Sequence, residues 1–263
     1  ETGRNDFRPS YLELPKLREQ LPEVPILALT ATATSEVVED IKRVLHFRPG
    51  YAFYQKSFLR PNISYSIRRS DDKPAMMRFI LSRVEGAAII YCRNRQLCQT
   101  VSEALLAEGI SATYYHAGLT YTEREMRQGR WMRGEVRVMV ATNAFGMGID
   151  KPDVRLVIHL TMPSSLEEYY QEAGRAGRDG EHSYAVAIVG SQDSRMLHRR
   201  LQDTFPEKEY IREVYDQICN FLAIGEGEGL DRTYDFDIEL FIRRFHMRPV
   251  QTRHAIEIMQ LSK

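Results

Sequence analysis

Two arginines three positions apart, Arg175 and Arg178, are the residues of this chain best suited to chemistry on phosphate. A guanidinium stays charged at physiological pH, and its planar set of donors matches the oxygens of a phosphoryl group. Small residues separate the two arginines, and Gln171 precedes them. An arginine presented to a transferring phosphoryl group can change the reaction rate by a factor of about 10³–10⁵. The pattern therefore indicates a site that acts on a bound nucleotide.

A second group of candidate residues directly follows the apolar run Val136–Ala141. The hydroxyl of Thr142 and the amide of Asn143 can hold a phosphate together with backbone amides of the loop. Gly148 permits the close backbone approach that such a contact requires. Asp150 can accept a hydrogen bond from a ribose hydroxyl or pair with the arginines. Because ligand-binding loops of open α/β sheets follow the carboxyl ends of strands, we interpret residues 142–150 as part of the same surface.

Short apolar runs alternate with helical stretches between residues 25 and 190. The runs are nearly continuous, which is typical of strands that a parallel sheet buries on both faces. Capping-box spacing at Ser165 with Glu168, and at Thr122 with Glu125, marks two of the helix starts. The alternation predicts an α/β fold, a parallel sheet flanked by helices. The predicted strands are Ile26–Leu29, Ala87–Cys92, Ala112–Tyr115, Val136–Ala141, Arg155–His159 and Ala185–Val189.

Three segments resemble, in the same order, motifs of superfamily 2 helicases. Residues 27–33 resemble motif III, residues 140–155 resemble motif V, and residues 171–180 resemble motif VI. Their sequences are similar to those of the RecQ family of DNA helicases. The Phe-x-Arg-Pro-Asn-Ile segment at residues 58–63 is also very similar to the junction between the two lobes of RecQ-like helicases. The chain thus resembles the C-terminal part of a RecQ helicase core.

This resemblance implies RecA-like lobes and three regions. Residues 1–60 would be the C-terminal remnant of the first RecA-like lobe, residues 61–192 the complete second lobe, and residues 193–263 a small, mostly helical extension. The sequence of the extension fits either a helical bundle or the start of a winged-helix-like module. Many RecQ proteins carry four zinc-binding cysteines there, whereas this chain has only Cys219 in that region, so we expect no zinc and no other metal site.

The resemblance also assigns roles to the candidate residues around the nucleotide. Arg178 would be the arginine finger, Arg175 its partner, and Gln171 a residue that helps to couple the two lobes. Asp150 and Gly148 would contact the nucleotide. Thr30 and Thr32, in the motif III segment, would couple the state of the nucleotide to lobe movement.

Contacts to DNA are implied for residues in several loops. Arg93 and Asn94 open a helix in a segment that resembles motif IV, and a helix N-terminus can bind a phosphate. His116 lies in another family segment, where a structural role is equally open. Residues 6–9 resemble the end of the aromatic-rich loop with which RecQ proteins sense single-stranded DNA. The implied DNA contacts are Thr142, Asn143, Arg93, Asn94, His116, Phe7 and Arg8.

Composition limits the kind of partner and compartment. The chain has 36 basic and 36 acidic residues, so any surface that attracts nucleic acid must be local. Its 3 cysteines form no even disulfide framework, which fits a reducing environment. No apolar run approaches the length of a membrane span. We expect a monomer without membrane contact, in the cytoplasm or associated with the nucleoid if the source is bacterial.

The implied activity is that of an ATP-dependent DNA helicase that unwinds duplex DNA by moving 3′ to 5′ along one strand, in repair or recombination. Its substrates would be single-stranded and forked DNA, and DNA-repair proteins are possible partners. The chain contains neither a Gly-x-x-x-x-Gly-Lys-Ser/Thr loop nor an Asp-Glu-Ala-His box. We therefore expect it to be a fragment that hydrolyses no ATP alone, with ATP and Mg²⁺ bound mainly by residues outside it.

Two alternatives stay open. An RNA helicase of the same superfamily would share the lobe, although helicases of the DEAD-box type usually have His-Arg where Gln171 and Glu172 stand. A non-catalytic nucleic-acid-binding module would retain the lobe and lack ATPase activity. A Walker-type lysine in a longer coding sequence would exclude the second alternative.

Overall fold

The computed structural model describes Lys16, residues 20–30, 33–55, Ser57, and residues 59–146, 149–225, 228–229 and 232–261. The chain divides into two compact units, Glu1–Ile188 and Val189–Lys263. Two clusters of buried apolar side chains stabilise the first unit, and a separate cluster stabilises the second. Each unit therefore has its own hydrophobic core.

A six-stranded sheet forms the centre of the first unit, in the order β1-β6-β5-β2-β4-β3. The pairings of β2 with β4 and β5, of β3 with β4, and of β5 with β6 are all parallel. Five of the six predicted strands are confirmed, with small shifts at their ends. The strands are β1 (Ile63–Arg69), β2 (Ala87–Tyr91), β3 (Ala112–Tyr115), β4 (Val138–Ala141), β5 (Val154–His159) and β6 (Ser183–Val189).

The two errors in the strand prediction have the same physical origin. Ile26–Leu29 forms no strand, and Leu27 and Leu29 are exposed, because no described strand lies beside this segment to pair with its backbone. β1 was not predicted, since only Ile63 of its residues is buried and the rest of this edge strand lacks a continuous apolar run. Neighbouring strands, rather than the local sequence, decided both outcomes.

Helices connect the strands and start at side-chain caps. Thr34 caps α1 and Asp72 caps α2, which has Pro74 in its first turn. The capping box at the fourth helix involves Thr120 and Glu123, so the predicted pair two residues later was wrong. The helices are α1 (Ser35–Val44), α2 (Lys73–Arg83), α3 (Arg95–Ala107), α4 (Tyr121–Met132) and α5 (Leu166–Ala173).

The sheet separates the two buried clusters of the first unit. Alternate strand residues point to opposite faces, so Ile90 and Val140 join one cluster while Ile89 and Met139 join the other. The second cluster also contains Trp131, Phe145, Ala173 and Ala176. Ala173 lies two residues before Arg175, and Ala176 lies between Arg175 and Arg178, so this core anchors the backbone that carries the two arginines.

The second unit is helical. Val214, Phe241, Ile242, Met247 and Ala255 form its buried centre, with partly buried aromatic side chains around them. The described part of residues 190–261 contains helices and no strand. Its helices are α6 (Ser191–Thr204), α7 (Lys208–Leu222), α8 (Ile238–Arg244) and α9 (Pro249–Leu261).

Candidate nucleotide and nucleic-acid site

Three neighbouring strands bring their carboxyl ends to one edge of the sheet. Tyr91 of β2 and Tyr115 of β3 are both register partners of Ala141 in β4. The next residues are joined as well, because the Thr142 amide donates to the Tyr115 carbonyl (3.2 Å) and the Cys92 amide to the Ala141 carbonyl (2.8 Å). The loops that begin at residues 92, 116 and 142 therefore lie side by side. We call this edge the strand-end edge.

Arg178 is held by the loop that follows β4. Its Nη1 donates to the Asp150 carboxylate at 2.7 Å and to the Ile149 carbonyl at 2.9 Å. The Asp150 side chain is 82% exposed, so solvent surrounds this ion pair. An exposed pair contributes only about 0–1 kcal/mol, which leaves the guanidinium able to exchange its carboxylate for a phosphate.

Arg178 also lines a cleft of about 430 Å³, together with Gln171 and Thr30. Sequence reasoning missed Arg60, Tyr65 and Tyr170, which line the same cleft. The sequence pointed to these three residues only because each lies in, or close to, a segment that resembles RecQ helicases. A cleft of about 300–1,000 Å³ is typical of small-molecule sites, and two guanidiniums suit a phosphate-bearing ligand. No carboxylate is among its described lining residues, which therefore offer donors for phosphate rather than ligands for Mg²⁺.

Arg175 occupies a different environment from Arg178. Its Nη2 lies 2.9 Å from the position that a Cβ on Gly146 would occupy, so a side chain at that position would displace the guanidinium. It also lies beside the buried phenol of Tyr91, whose pKa is raised by burial and lowered in part by Arg175. The Nε of Arg175 is buried without a hydrogen-bond partner in the described structure. Arg175 thus links its own turn to the loop after β4.

A buried pair under the arginine-bearing turn was also missed by sequence reasoning. His159, at the end of β5, lies 2.9 Å from Glu172 through Nε2 and Oε2. Burial raises the pKa of Glu172, and the hydrogen bond from His159 opposes that effect. His159 stacks on Tyr91. Neither residue belongs to a loop, so only the tertiary structure identifies the pair.

Thr142 and Asn143 lie at the strand-end edge and already have internal partners. The Thr142 hydroxyl accepts from the Ala144 amide at 3.4 Å, and the residue is 8% exposed. The exposed Asn143 donates its Nδ2 to the Glu168 carboxylate at 3.1 Å. A ligand at this edge would compete with Glu168 for Asn143.

Arg93 and Asn94 have separate roles at the start of α3. Asn94 is the N-cap of the helix and accepts from the Leu97 amide at 2.8 Å. Its side chain therefore stabilises the helix, and replacing such a cap typically costs about 1 kcal/mol. Arg93 is exposed at the same edge. Of these two residues, the structure leaves Arg93 better placed to contact a ligand.

His116 is nearly buried and lies near two arginine side chains, Arg95 and Arg127. It is 9% exposed, it stacks on Tyr114, and its Nδ1 has no partner in the described structure. Burial lowers the pKa of His116, and the nearby charges of Arg95 and Arg127 lower it further. The Glu123 carboxylate acts in the opposite direction. The imidazole is thus neutral near pH 7.

The lowered pKa of His116 predicts a loss of stability in mild acid. The unfolded chain takes up a proton near the ordinary value of 6.5, whereas the folded chain takes it up only at lower pH. The free energy of unfolding should therefore decrease as the pH falls below about 6.5. Urea denaturation of the wild type and His116→Gln between pH 7 and pH 5 measures this, and the variant should show the smaller decrease. Equal slopes would contradict the assignment.

Four of the candidate residues, Gly148, Thr32, Phe7 and Arg8, lie outside the described residues. Within the described ranges, no group of three His, Cys, Asp or Glu side chains could hold a metal ion. None of the helices that the structure describes is long and apolar enough to cross a membrane.

Comparisons with protein families and with individual proteins all show similarity to helicases. Residues 72–180 match the helicase conserved C-terminal domain family. The chain is 43% identical over 223 residues to "ATP-dependent DNA helicase RecQ" of Pasteurella multocida, covering 84% of this chain and 34% of that protein. It is 41% identical over 221 residues to "ATP-dependent helicase SGS1" of Saccharomyces cerevisiae, covering 83% of this chain and 15% of that protein. The chain thus spans about a third or less of these relatives.

A solved structure supports the fold. The chain resembles Saccharomyces cerevisiae Dbp5 bound to RNA and ADP BeF3 with a TM-score of 0.57 and 21% identity, over 73% of this chain and 52% of that one. At this identity the likeness concerns the RecA-like fold alone. Together with the sequence matches, it explains why the motif-bearing loops meet at one edge of the sheet. Residues 72–180 are a helicase C-terminal domain, and the chain belongs to the RecQ family of helicases.

Proposed function

We propose that this chain supplies the second motor lobe of an ATP-dependent DNA helicase of the RecQ type. The observation that carries the proposal is the position of Arg178, whose guanidinium lines the cleft and pairs, among the described residues, with an exposed carboxylate and a carbonyl. Relatives over most of the chain are named ATP-dependent helicases, which supports ATP as the ligand. The helicase would unwind DNA by moving 3′ to 5′ along one strand.

In this proposal, Arg178 acts on the nucleotide. ATP bound between two lobes would present its γ-phosphate to Arg178, which then releases Asp150 and stabilises the charge that develops during transfer. Gln171 and Thr30 line the same cleft, and in this proposal both couple the nucleotide to lobe movement. Arg175 would act through the loop after β4 rather than on the phosphate directly. Mg²⁺ and most of the triphosphate would be bound by residues outside this chain.

The strand-end edge would contact the DNA backbone. Arg93 is exposed there, beside the loops that carry Thr142, Asn143 and His116. Contacts to phosphates give affinity that depends on salt and little on sequence, as a motor that moves along DNA requires. The name of the Pasteurella multocida relative, a DNA helicase, supports DNA rather than RNA as the strand that is followed.

We expect the 263-residue chain to bind a fluorescent DNA single strand through the strand-end edge. Fluorescence anisotropy between about 50 and 200 mM salt should give an affinity that decreases with salt. Arg93→Ala should reduce the slope of log K against log salt by about 0.7, the value for one phosphate contact on a single strand. The matched control is Arg83→Ala, an exposed arginine at the end of α2 and thus near the opposite edge of the sheet.

Equal slopes for the wild type and Arg93→Ala would remove Arg93 from the interface. A preference for an RNA strand of the same sequence would favour the RNA-helicase alternative. Binding should be unchanged by ATP, and the chain alone should hydrolyse none, because it contains no Gly-x-x-x-x-Gly-Lys-Ser/Thr loop.

A further inference from the structure

Two side chains from the segment before β1 donate to the turn that carries the arginines. Arg60 donates to the carbonyls of Gly174 (3.3 Å), Ala176 (3.4 Å) and Gly177 (2.8 Å). Asn62 donates through Nδ2 to the carbonyls of Gly177 (2.7 Å) and Glu181 (3.0 Å). More than 110 residues separate the donors from the acceptors. The contacts therefore depend on the tertiary fold.

The carbonyls of this turn need such donors. Helix α5 ends at Ala173, and the amides of residues 174–176 donate to three of its last four carbonyls, whereas the carbonyls of Gly174 and Ala176 lie beyond the helix and accept from Arg60. Gly177 then adopts φ +55°, and its carbonyl accepts from the Gly180 amide at 3.0 Å as well as from Arg60 and Asn62. Arg60 and Asn62 belong to one tight turn, which the Ile63 amide closes by donating to the Arg60 carbonyl at 3.0 Å, with Pro61 at its second position.

The turn is fixed on its other sides as well. The Gly177 amide donates to the Val154 carbonyl at 2.8 Å, and Arg155 forms an ion pair with Asp179. The backbone of residue 178 is therefore flanked by held neighbours on both sides, while its guanidinium extends to Asp150. The conformation of the turn determines where that guanidinium lies.

We propose that Arg60 and Asn62 are positioning residues that hold the arginine-bearing turn in the conformation that presents Arg178 to the nucleotide. This inference rests on the proposed function, because it assigns the two residues to the same phosphoryl-transfer site. A displacement of about 1 Å at a catalytic group can cost about 100-fold in rate. Five side-chain hydrogen bonds hold this turn, so they limit the displacement of Arg178 and thereby maintain the rate of phosphoryl transfer.

Asn62 is the better residue to test. Arg60 also lines the cleft, so its replacement would remove a cation from the ligand as well as a donor from the turn. Asn62 is not among the described residues that line the cleft, and the hydrogen bonds of its Nδ2 within the described structure go to the carbonyls of Gly177 and Glu181. Ser64→Ala is a matched control, since Ser64 lies in β1 two residues after Asn62 and its hydroxyl, within the described part of the chain, contacts His182 at 3.3 Å rather than the turn.

The first experiment is hydrogen–deuterium exchange of the 263-residue chain, which requires no ATPase activity. Asn62→Ala should increase the exchange rate of the amides of residues 174–180 about 10-fold, because a lost hydrogen bond shifts the local opening equilibrium by roughly that factor. Exchange in β2 and β4 should be unchanged, and Ser64→Ala should match the wild type throughout. Unchanged exchange in residues 174–180 would overturn the proposal.

The second experiment is a double-mutant cycle in the whole helicase, measured by single-turnover ATP hydrolysis. Asn62→Ala should lower the rate about 10–100-fold with little change in ATP affinity. In an Arg178→Ala background the same substitution should have no further effect, because Asn62 acts through Arg178. An equal loss of rate in both backgrounds would show that Asn62 does not act through Arg178 and has a structural role alone. If Arg178→Ala itself leaves the rate unchanged, the proposed function fails, and the exchange result still decides whether the turn is held.

Discussion

Replacement of Arg178 by alanine in the whole helicase is expected to lower the rate of ATP hydrolysis by about 10³–10⁵-fold. The guanidinium lines the cleft and pairs with an exposed carboxylate that a phosphate can replace. The affinity for ATP should change much less, because the arginine stabilises charge that develops only in the transition state. Single-turnover hydrolysis and nucleotide titration of the same protein measure the two quantities separately.

Two further variants make the result specific. Arg178→Lys keeps the charge and removes the planar set of donors, so it should recover only part of the lost rate. Asp150→Asn removes an exposed ion-pair partner and should change the rate far less than either arginine variant. A rate reduced less than 10-fold by Arg178→Ala would show that another group neutralises the phosphate and would refute the assignment of Arg178.

The sequence predicted the inner part of the fold well. Strands β2, β4 and β5 are buried on both faces and most residues of β6 are buried, so their apolar runs could be recognised without knowledge of their neighbours. The edge strand β1 and the segment Ile26–Leu29 could not be assigned in this way. In both, the outcome depends on which other strands are available for pairing, and no local pattern contains that information.

The sequence indicated which segments carry the candidate site, but it did not indicate the contacts of their individual side chains. Arg175 and Arg178 look equivalent in sequence, yet Arg175 lies against Gly146 and the buried Tyr91, whereas Arg178 pairs with the exposed Asp150 and lines the cleft. Asn94 illustrates a second limit, because a residue next to a helix N-terminus can be either a ligand contact or a cap. Only the 2.8 Å contact to the Leu97 amide identifies it as a cap.

Gly177 is the residue of the turn at which a single methyl group is expected to be most destabilising. Its φ of +55° costs an L-residue about 1–2 kcal/mol. A Cβ there would lie 2.5 Å from Asn62 Nδ2, 2.6 Å from the Glu181 carbonyl oxygen and 2.7 Å from Ser183 Oγ. Overpacking of this kind typically costs a further 1–3 kcal/mol or so. We therefore expect Gly177→Ala to lower the free energy of unfolding by about 2–5 kcal/mol.

Gly180→Ala separates the two contributions. Gly180 has φ +89° in the same turn, but a Cβ there would meet nothing within 4 Å, so the substitution should cost only the backbone term of about 1–2 kcal/mol. Urea denaturation followed by the fluorescence of Trp131, the single and fully buried tryptophan, reports on the first unit. Equal losses for the two alanine variants would mean that Asn62 and its neighbours can move aside. The larger loss at Gly177 would mean that the contacts around the turn are rigid, which is the property that a correctly placed arginine finger needs.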